Sequence, residues 1–248
     1  KGALMKKEEV IQIIIKCANL YNKNLENKNI IFVFGNLDRI FFFESTYLAK
    51  HFLHLTGVTL NPNIYSGSSD FYKKCLRSEL SVDDFSVPLD GNTAKKLTVL
   101  PQLMQIFKTA KMVGDYNFSK SRLLTEKLTG NITACMGFVR DDIYYIPNTV
   151  LKEDMRDITN KPQQRMLAIF RKRIFDQQYN ELTYIAKDIY IESLSNNEKL
   201  NELIDFKNLK ANFSIPHNVS DEDNIENENL TKLMISSIED ECNNSLKM

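Results

Sequence analysis

Ile132-Thr133-Ala134-Cys135-Met136-Gly137-Phe138-Val139, resumed after Arg140-Asp141-Asp142 by Ile143-Tyr144-Tyr145-Ile146, repeats with a period of two. Ile132, Ala134, Met136 and Phe138 fall on one side of such a chain, with Thr133, Cys135 and Gly137 on the other. That alternation marks half-buried strands. The charged triplet between the runs reads as a turn, so together they predict a hairpin. Pro147-Asn148 reads as the start of a loop, and Asp154 to Asp157 as a helical turn. Arg165 to Arg173 and Glu181 to Ile189 supply two more strand candidates, joined through Asp176-Gln177-Gln178.

Upstream of Gly130 the period is mostly helical. Val10, Ile11, Ile14, Ile15, Ala18, Tyr21 and Leu25 predict a first helix over Lys7 to Leu25. Ile30 to Phe34 and Ile40 to Phe43 read as strands around a turn at Gly35 to Asp38. A short helix capped at Ser45 or Thr46 is expected to end at Gly57, and another to cover Ser69 to Leu80. Leu97, Leu100, Leu103, Met104 and Phe107 form a helical stripe containing Pro101, which predicts a kink or two abutting helices. Leu123 to Lys127 reads as a short strand. Helices followed by an antiparallel meander specify an α+β fold. Glu198 to Leu209 continues as a helix, Asn212 to Glu228 as a linker, and Leu230, Leu233, Met234 and Ile238 as a terminal amphipathic helix. The expected organisation is one domain over 5–194 with a helical extension over 195–248.

The chain has 248 residues, with 32 Lys and Arg against 32 Asp and Glu. That balance is uneven along its length. Ser220 to Met248 carries eight acidic and two basic residues, whereas Thr93 to Lys127 carries seven basic and two acidic ones. Lys161 to Lys187 is also basic, with six against two. Local fields of this kind attract polyanions at zero net charge, and a solvated helical surface gives the same count. No apolar run approaches the ~18 residues of a membrane span, so no membrane association is expected. Val10 to Ile15 is short, follows Lys6-Lys7-Glu8-Glu9 and has no small-residue cleavage site after it, so residence in the cytoplasm is expected. Lys1 to Leu4 stand outside the fold reading, with Met5 as the expected natural start.

Several enzyme classes lack their motifs. There is no phosphate-binding P-loop, dinucleotide glycine fingerprint, nucleophile elbow or HExxH helix. Cys17, Cys75, Cys135 and Cys242 are too scattered for a zinc knuckle, and Cys17 and Cys135 lie in apolar patterns that suit buried thiols. No metal or cofactor is expected. Of the three histidines, His217 falls in the tail. His51 and His54 share part of one helical face, and a histidine beside a helix end and a glycine turn can exchange protons near neutral pH. It can equally cap or pack.

Tyr144-Tyr145-Ile146-Pro147-Asn148-Thr149 runs into Lys152-Glu153-Asp154-Met155-Arg156, and the strands beyond add Arg171, Lys172 and Lys187. Phosphoryl oxygens need such cations, and a guanidinium can bind two oxygens at once. The plainer alternatives are that Arg156 braces a loop with Glu153 or Asp157, and that the tyrosines fill the sheet core instead of stacking on bases.

His54-Leu55-Thr56-Gly57 after an apolar hairpin resembles a family of phage and mobile-element RNase-like domains. So does the Tyr-Tyr-Ile-Pro-Asn-Thr run ending in Arg156, followed by Met166-Leu167-Ala168-Ile169-Phe170-Arg171-Lys172. These domains are grouped with barnase, EndoU, colicin E5 and D, and RelE, and the resemblance is to their fourth phage-associated branch, over Lys7 to Ile189. It implies a helical start packed on an antiparallel sheet of about four strands, in a protein of the bacterial host's cytoplasm. It further implies metal-independent RNA cleavage by attack of the 2′-hydroxyl on the adjacent phosphate. On that pattern His54 acts as general acid or base and Thr56 as a hydrogen-bond donor. Arg156, Arg171 and Lys187 stabilise the phosphate, and Lys152, Asn148, Tyr145 and Lys172 contact substrate. The sheet half contains no second histidine, so a lysine, tyrosine or carboxylate has to share the proton transfers.

Two functional classes follow: an endoribonuclease with RNA as its partner, or a non-catalytic interaction protein that binds nucleic acid or a host protein. A homodimer formed through the C-terminal helix is a third reading.

Overall fold

The computed structural model describes residues 5–64, 67–119 and 123–213. The acidic linker beyond residue 213, the terminal helix, His217 and Cys242 lie outside the described residues. Helix α1 (Lys7–Asn24) buries Val10, Ile14, Cys17, Ala18 and Tyr21 on one face. Glu8 and Glu9 in its first turn and Lys23 in its last complement the helix dipole. The chain then enters a hairpin of β1 (Lys28–Asn36) and β2 (Arg39–Tyr47), with Phe32 opposite Phe43.

Strand β1 is buried on both faces, which explains its unbroken apolar run. Ile30, Phe32 and Phe34 join α1 in the larger core. Ile31 and Val33 join Leu167, Phe170, Leu194 and Leu200 in a second core on the opposite face.

The expected helix cap at Ser45 or Thr46 is corrected: both residues belong to β2. Tyr47 still pairs with Lys28, and the Ser45 hydroxyl donates to the Ile30 carbonyl at 3.3 Å. A 3-10 turn (Ala49–His51) leads into α2 (Phe52–Thr56), which ends at Gly57 as expected. Next come β3 (Thr59–Leu60), α3 (Ser68–Leu76) and β4 (Phe85–Ser86), with β3 and β4 forming a separate small sheet. Helices α4 (Asn92–Leu103) and α5 (Ile106–Thr109) abut, with Pro101 retained inside α4.

The remaining strands are β5 (Met112–Asp115), β6 (Lys127–Gly130), β7 (Cys135–Asp141), β8 (Tyr144–Leu151), β9 (Gln164–Arg173) and β10 (Glu181–Ile185). The turn α6 (Met155–Ile158) precedes β9. Helices α7 (Ile191–Ser195) and α8 (Glu198–Leu203) and a 3-10 turn (Phe206–Asn208) follow β10. Strand β6 replaces the strand expected at Leu123 to Lys127. The Glu198 to Leu209 helix is interrupted at Ile204, whose backbone is extended.

The α+β class stands, but the sheet has eight strands, ordered β1-β2-β8-β7-β6-β5-β9-β10, rather than about four. It is mixed, because β2 and β8 meet in parallel at Ser45 and Tyr145. Strand β9 pairs with β1 through Met166 to Arg173 and with β5 through Gln164 and Arg165, so the pairings close on themselves. Strands β5 and β6 are short and contain Gly114 and Gly130, so neither carries an alternating pattern. Pro147 does not end β8. The pairing shifts between Gly137 and Phe138, and this bulge admits a residue that has no N–H.

Phe43 gathers the aromatic centre, with Phe32, Phe138 and Tyr145 ring centroids at 4.9, 5.6 and 5.3 Å. Cys17 and Cys135 are buried free thiols, each pushed up to about 12 by burial. Helices α7 and α8 cover the second core, and the Tyr179 N–H donates to the Leu203 carbonyl at 2.8 Å. No helix among the described residues is long and apolar enough to cross a membrane.

Candidate active site

Two cavities meet at the end of α2. Gly57 stops that helix in the left-handed region at φ 74°, which glycine adopts without the Cβ penalty other residues meet. The Thr56 hydroxyl completes the end by donating to the Leu53 carbonyl at 2.7 Å and accepting the Val58 N–H at 3.3 Å. Thr56 is thereby buried and committed to the helix terminus, whereas His54 is exposed.

His54 lines a cavity of about 560 Å³ together with Asn148 and Lys96. Beside it, a deeper cleft of about 620 Å³ is lined by Thr93, Lys95, Lys96, Thr149 and Lys152. Gly57 and Lys96 belong to both. Lys96 arrives from the second turn of α4, whose start is fastened to α2: the Thr93 hydroxyl donates to the Gly57 carbonyl at 2.7 Å. A Cβ at position 57 would lie 2.9 Å from Lys96 Cδ, so the glycine makes room for the lysine stem. Burial draws the Lys96 ammonium below its ordinary value, against the opposing pull of Asp90.

Strand β8 supplies the facing wall. The Asn148 side chain accepts from Thr125 Oγ1 at 3.1 Å and donates to the Leu124 carbonyl. Its neighbour Thr149 is 5% exposed, and its hydroxyl has no hydrogen-bond partner among the described residues. Lys152 follows the strand and is exposed.

Three residues named from sequence, His54, Asn148 and Lys152, therefore share this continuous surface. The others are placed elsewhere. Tyr145 is half-buried against Phe43, with Lys127 Nζ 5.9 Å from its ring centre. Arg156 is a brace, held by Asp154 through Nε at 3.1 Å and Nη2 at 2.6 Å rather than by Glu153 or Asp157. Arg171 is bound to Glu181 at 2.8 and 2.5 Å and donates to the Asn24 carbonyl at 2.8 Å. Buried Lys172 donates to the Gln177 carbonyl at 2.8 Å. Arg171 and Lys172 line a third cavity with Lys28, Arg173 and Lys210. Lys187 is exposed beyond the end of β10 and lines none of the three cavities.

Sequence reasoning missed Lys96 and Thr149. Lys96 lay in plain view within the basic Thr93 to Lys127 segment, but helical spacing alone presents it as a surface lysine. Thr149 was quoted in the tyrosine run and passed over for its charged neighbours.

Chemically, the surface offers a histidine at solvent, a lysine of lowered basicity, an oriented amide and a buried hydroxyl without a partner. Among the described residues no three His, Cys, Asp or Glu side chains gather where a metal ion could be held. No curated protein and no solved structure matches the chain. The sequence profile of the phage-Barnase-EndoU-ColicinE5/D-RelE like nuclease 4 family matches residues 13–188, from α1 to the end of the sheet. The match takes in α2, α4 and β8 and hence both walls of the cleft, and the chain belongs to this nuclease-like family.

Proposed function

We propose that the protein is a metal-independent endoribonuclease that cuts by attack of a 2′-hydroxyl on the adjacent phosphate. The observation that carries this reading is the shared lining of one cavity by His54, Lys96 and Asn148, which opens past Gly57 toward Thr149 and Lys152. Transesterification requires a base to take the 2′-hydroxyl proton and an acid to protonate the departing 5′-oxygen. His54 takes one of these roles. Lys96 takes the other, in place of the second histidine that the sheet half lacks, because its lowered basicity brings a lysine closer to neutral-pH proton transfer. Asn148 orients the substrate, and Lys152 neutralises a flanking phosphate. Thr56 acts only through the helix end it closes. Arg156, Arg171 and Lys187 have no step in this scheme.

The test is cleavage of a structured RNA by the full chain in EDTA, compared with His54→Ala and Lys96→Met. One positioned proton-transfer group contributes about 10²- to 10⁴-fold, so each substitution should slow single-turnover cleavage by at least about 10². A folded wild type that does not cut RNA overturns the proposal. Salt-dependent RNA affinity without turnover would replace it with the nucleic-acid-binding reading.

A further inference from the structure

The third cavity, about 530 Å³, lies where the end of β9 meets the starts of β1 and β10. It shares no lining residue with the two cavities at α2. Its five cations face two carboxylates, Asp176 and Glu181. Strand register crowds these cations. Lys28 stands directly opposite Arg173 across β1 and β9, and Arg171 follows on the same face, opposite Glu181 of β10. An isolated bridge sets Lys210 on the other side of Glu181. Like charges directly opposite each other destabilise a strand pair, so this ladder favours an added anion. Burial, together with Arg171 and Arg173, draws the Lys28 ammonium below its ordinary value, against the pull of Glu181.

Internal partners take up only part of this charge. The Lys28 ammonium donates to the Lys23 carbonyl at the end of α1. Arg171 occupies the Glu181 carboxylate, and Lys172 is held by the Gln177 carbonyl. The Asp176 carboxylate accepts the Arg173 backbone N–H at 3.2 Å. The Arg173 and Lys210 side chains are exposed, with no hydrogen bond or ion pair among the described residues.

An independent observation comes from the β9–β10 turn. Phe175, two residues beyond Arg173, is 95% exposed. Its turn is tied down: the Asp176 N–H donates to the Arg173 carbonyl and the Ile174 N–H to the Asn27 carbonyl, both at 3.1 Å. A large ring is thus held in solvent beside two unpaired cations. Nucleobases stack on such rings whatever their sequence, whereas an acidic peptide offers charge alone. Bases inside a duplex are already stacked, so the arrangement suits a single strand.

We infer that this cavity and the Phe175 turn form a second nucleic-acid contact, separate from the cleavage site, that grips a single-stranded flank of the RNA. Arg173 and Lys210 neutralise its phosphates, and Phe175 stacks on a base. Lys28 and Arg171 add their field from behind while anchored on α1 and Glu181. The inference rests on the RNA-cleaving reading for the identity of the strand.

The probe is a fluorescently labelled 2′-O-methyl single strand, which has no hydroxyl to attack, titrated into the full chain while anisotropy is followed. Affinity should fall steeply with salt. Arg173→Gln combined with Lys210→Gln should weaken binding at low salt by about tenfold and flatten the salt slope by about 2, one for each cation removed. Phe175→Ala should weaken binding by about tenfold and keep the slope. All three side chains are exposed, so melting temperatures should not move. On a cleavable strand of the same sequence, the variants should raise KM and leave kcat unchanged. Wild-type affinity in either variant overturns the contact, as does an oligoglutamate of equal charge that binds as tightly as the strand. If RNA is cut but the variants bind like wild type, the contact falls and the cleavage reading stands. If the strand binds through these residues and RNA is never cut, the cleavage reading falls and the contact stands.

Discussion

The Thr93 hydroxyl donates a 2.7 Å hydrogen bond to the Gly57 carbonyl, joining the start of α4 to the end of the helix that carries His54. Residues 36 positions apart are thereby held in register, and Lys96 is brought to the cavity that His54 lines. Thr93→Val keeps the volume and removes the bond. Its expected cost is about 1 kcal/mol of stability, together with about tenfold slower cleavage from misplacement of the two groups. Thermal melts and single-turnover rates on the folded variant measure both.

Gly57 should accept no side chain without a loss of cleavage. Gly57→Ala forces a Cβ into the left-handed region and against Lys96, at an expected cost of about 1 kcal/mol. Gly57→Asn is the informative comparison, since asparagine accepts positive φ but keeps the clash. Melting temperature should recover in Gly57→Asn, while cleavage remains impaired.

Thr149→Val should stabilise the protein. Replacing an unpaired buried hydroxyl with a methyl removes a desolvation cost, so the free protein should gain about 1 kcal/mol. Denaturant midpoints check the gain. A loss of stability would mean that the hydroxyl is already satisfied.

Arg171 should matter for folding alone. Its side chain is 13% exposed, and its guanidinium pairs with Glu181, serves the Asn24 carbonyl and lies 4.4 Å from the Phe107 ring centre. Arg171→Met should lower stability by about 2 kcal/mol, because the Glu181 carboxylate and the Asn24 carbonyl lose their donor. Cleavage per folded molecule should not change. Urea denaturation beside an activity assay separates the two.

His51 gives the fold an acid-sensitive point. It is 2% exposed, its Nδ1 accepts the Leu48 N–H at 3.2 Å, and its Nε2 has no hydrogen-bond partner among the described residues. Burial, aided by Lys50 and His54, lowers its pKa from 6.5 to about 4, against the pull of Asp141. The neutral form is favoured in the fold, so its contribution is complete above the unfolded value near 6.5 and is lost as pH falls toward 4. The full loss amounts to about 3 kcal/mol. His51→Asn keeps an acceptor and cannot titrate, so its melting temperature should fall less between pH 7 and pH 4.5.

The sequence carried more of the fold than of the site. The β7–β8 hairpin was legible because Met136 and Phe138 alternate with smaller neighbours, and α1 because its apolar stripe is continuous. The sheet was undercounted because β5 and β6 are brief and glycine-bearing, and because the β2–β8 contact joins residues 100 apart with no local signal. At the site, His54 was legible from the helix-ending Gly57. Asn148 and Lys152 followed from the segment after Tyr145. Arg171 looked equally chemical, yet its partner Glu181 lies across a strand pair that only register reveals. Lys96 escaped because its function depends on Thr93 reaching Gly57, a tertiary contact invisible to helical spacing.

The central claim is tested most directly by offering the full chain two oligonucleotides of one sequence in EDTA, one all-ribose and one with a single 2′-deoxy residue at the mapped cleavage position, and identifying products by mass. Expected is cleavage of the ribose strand to a 2′,3′-cyclic phosphate and a 5′-hydroxyl, with no cut at the deoxy residue. Equal cleavage of both strands would contradict attack by the 2′-hydroxyl, and with it the roles given to His54 and Lys96.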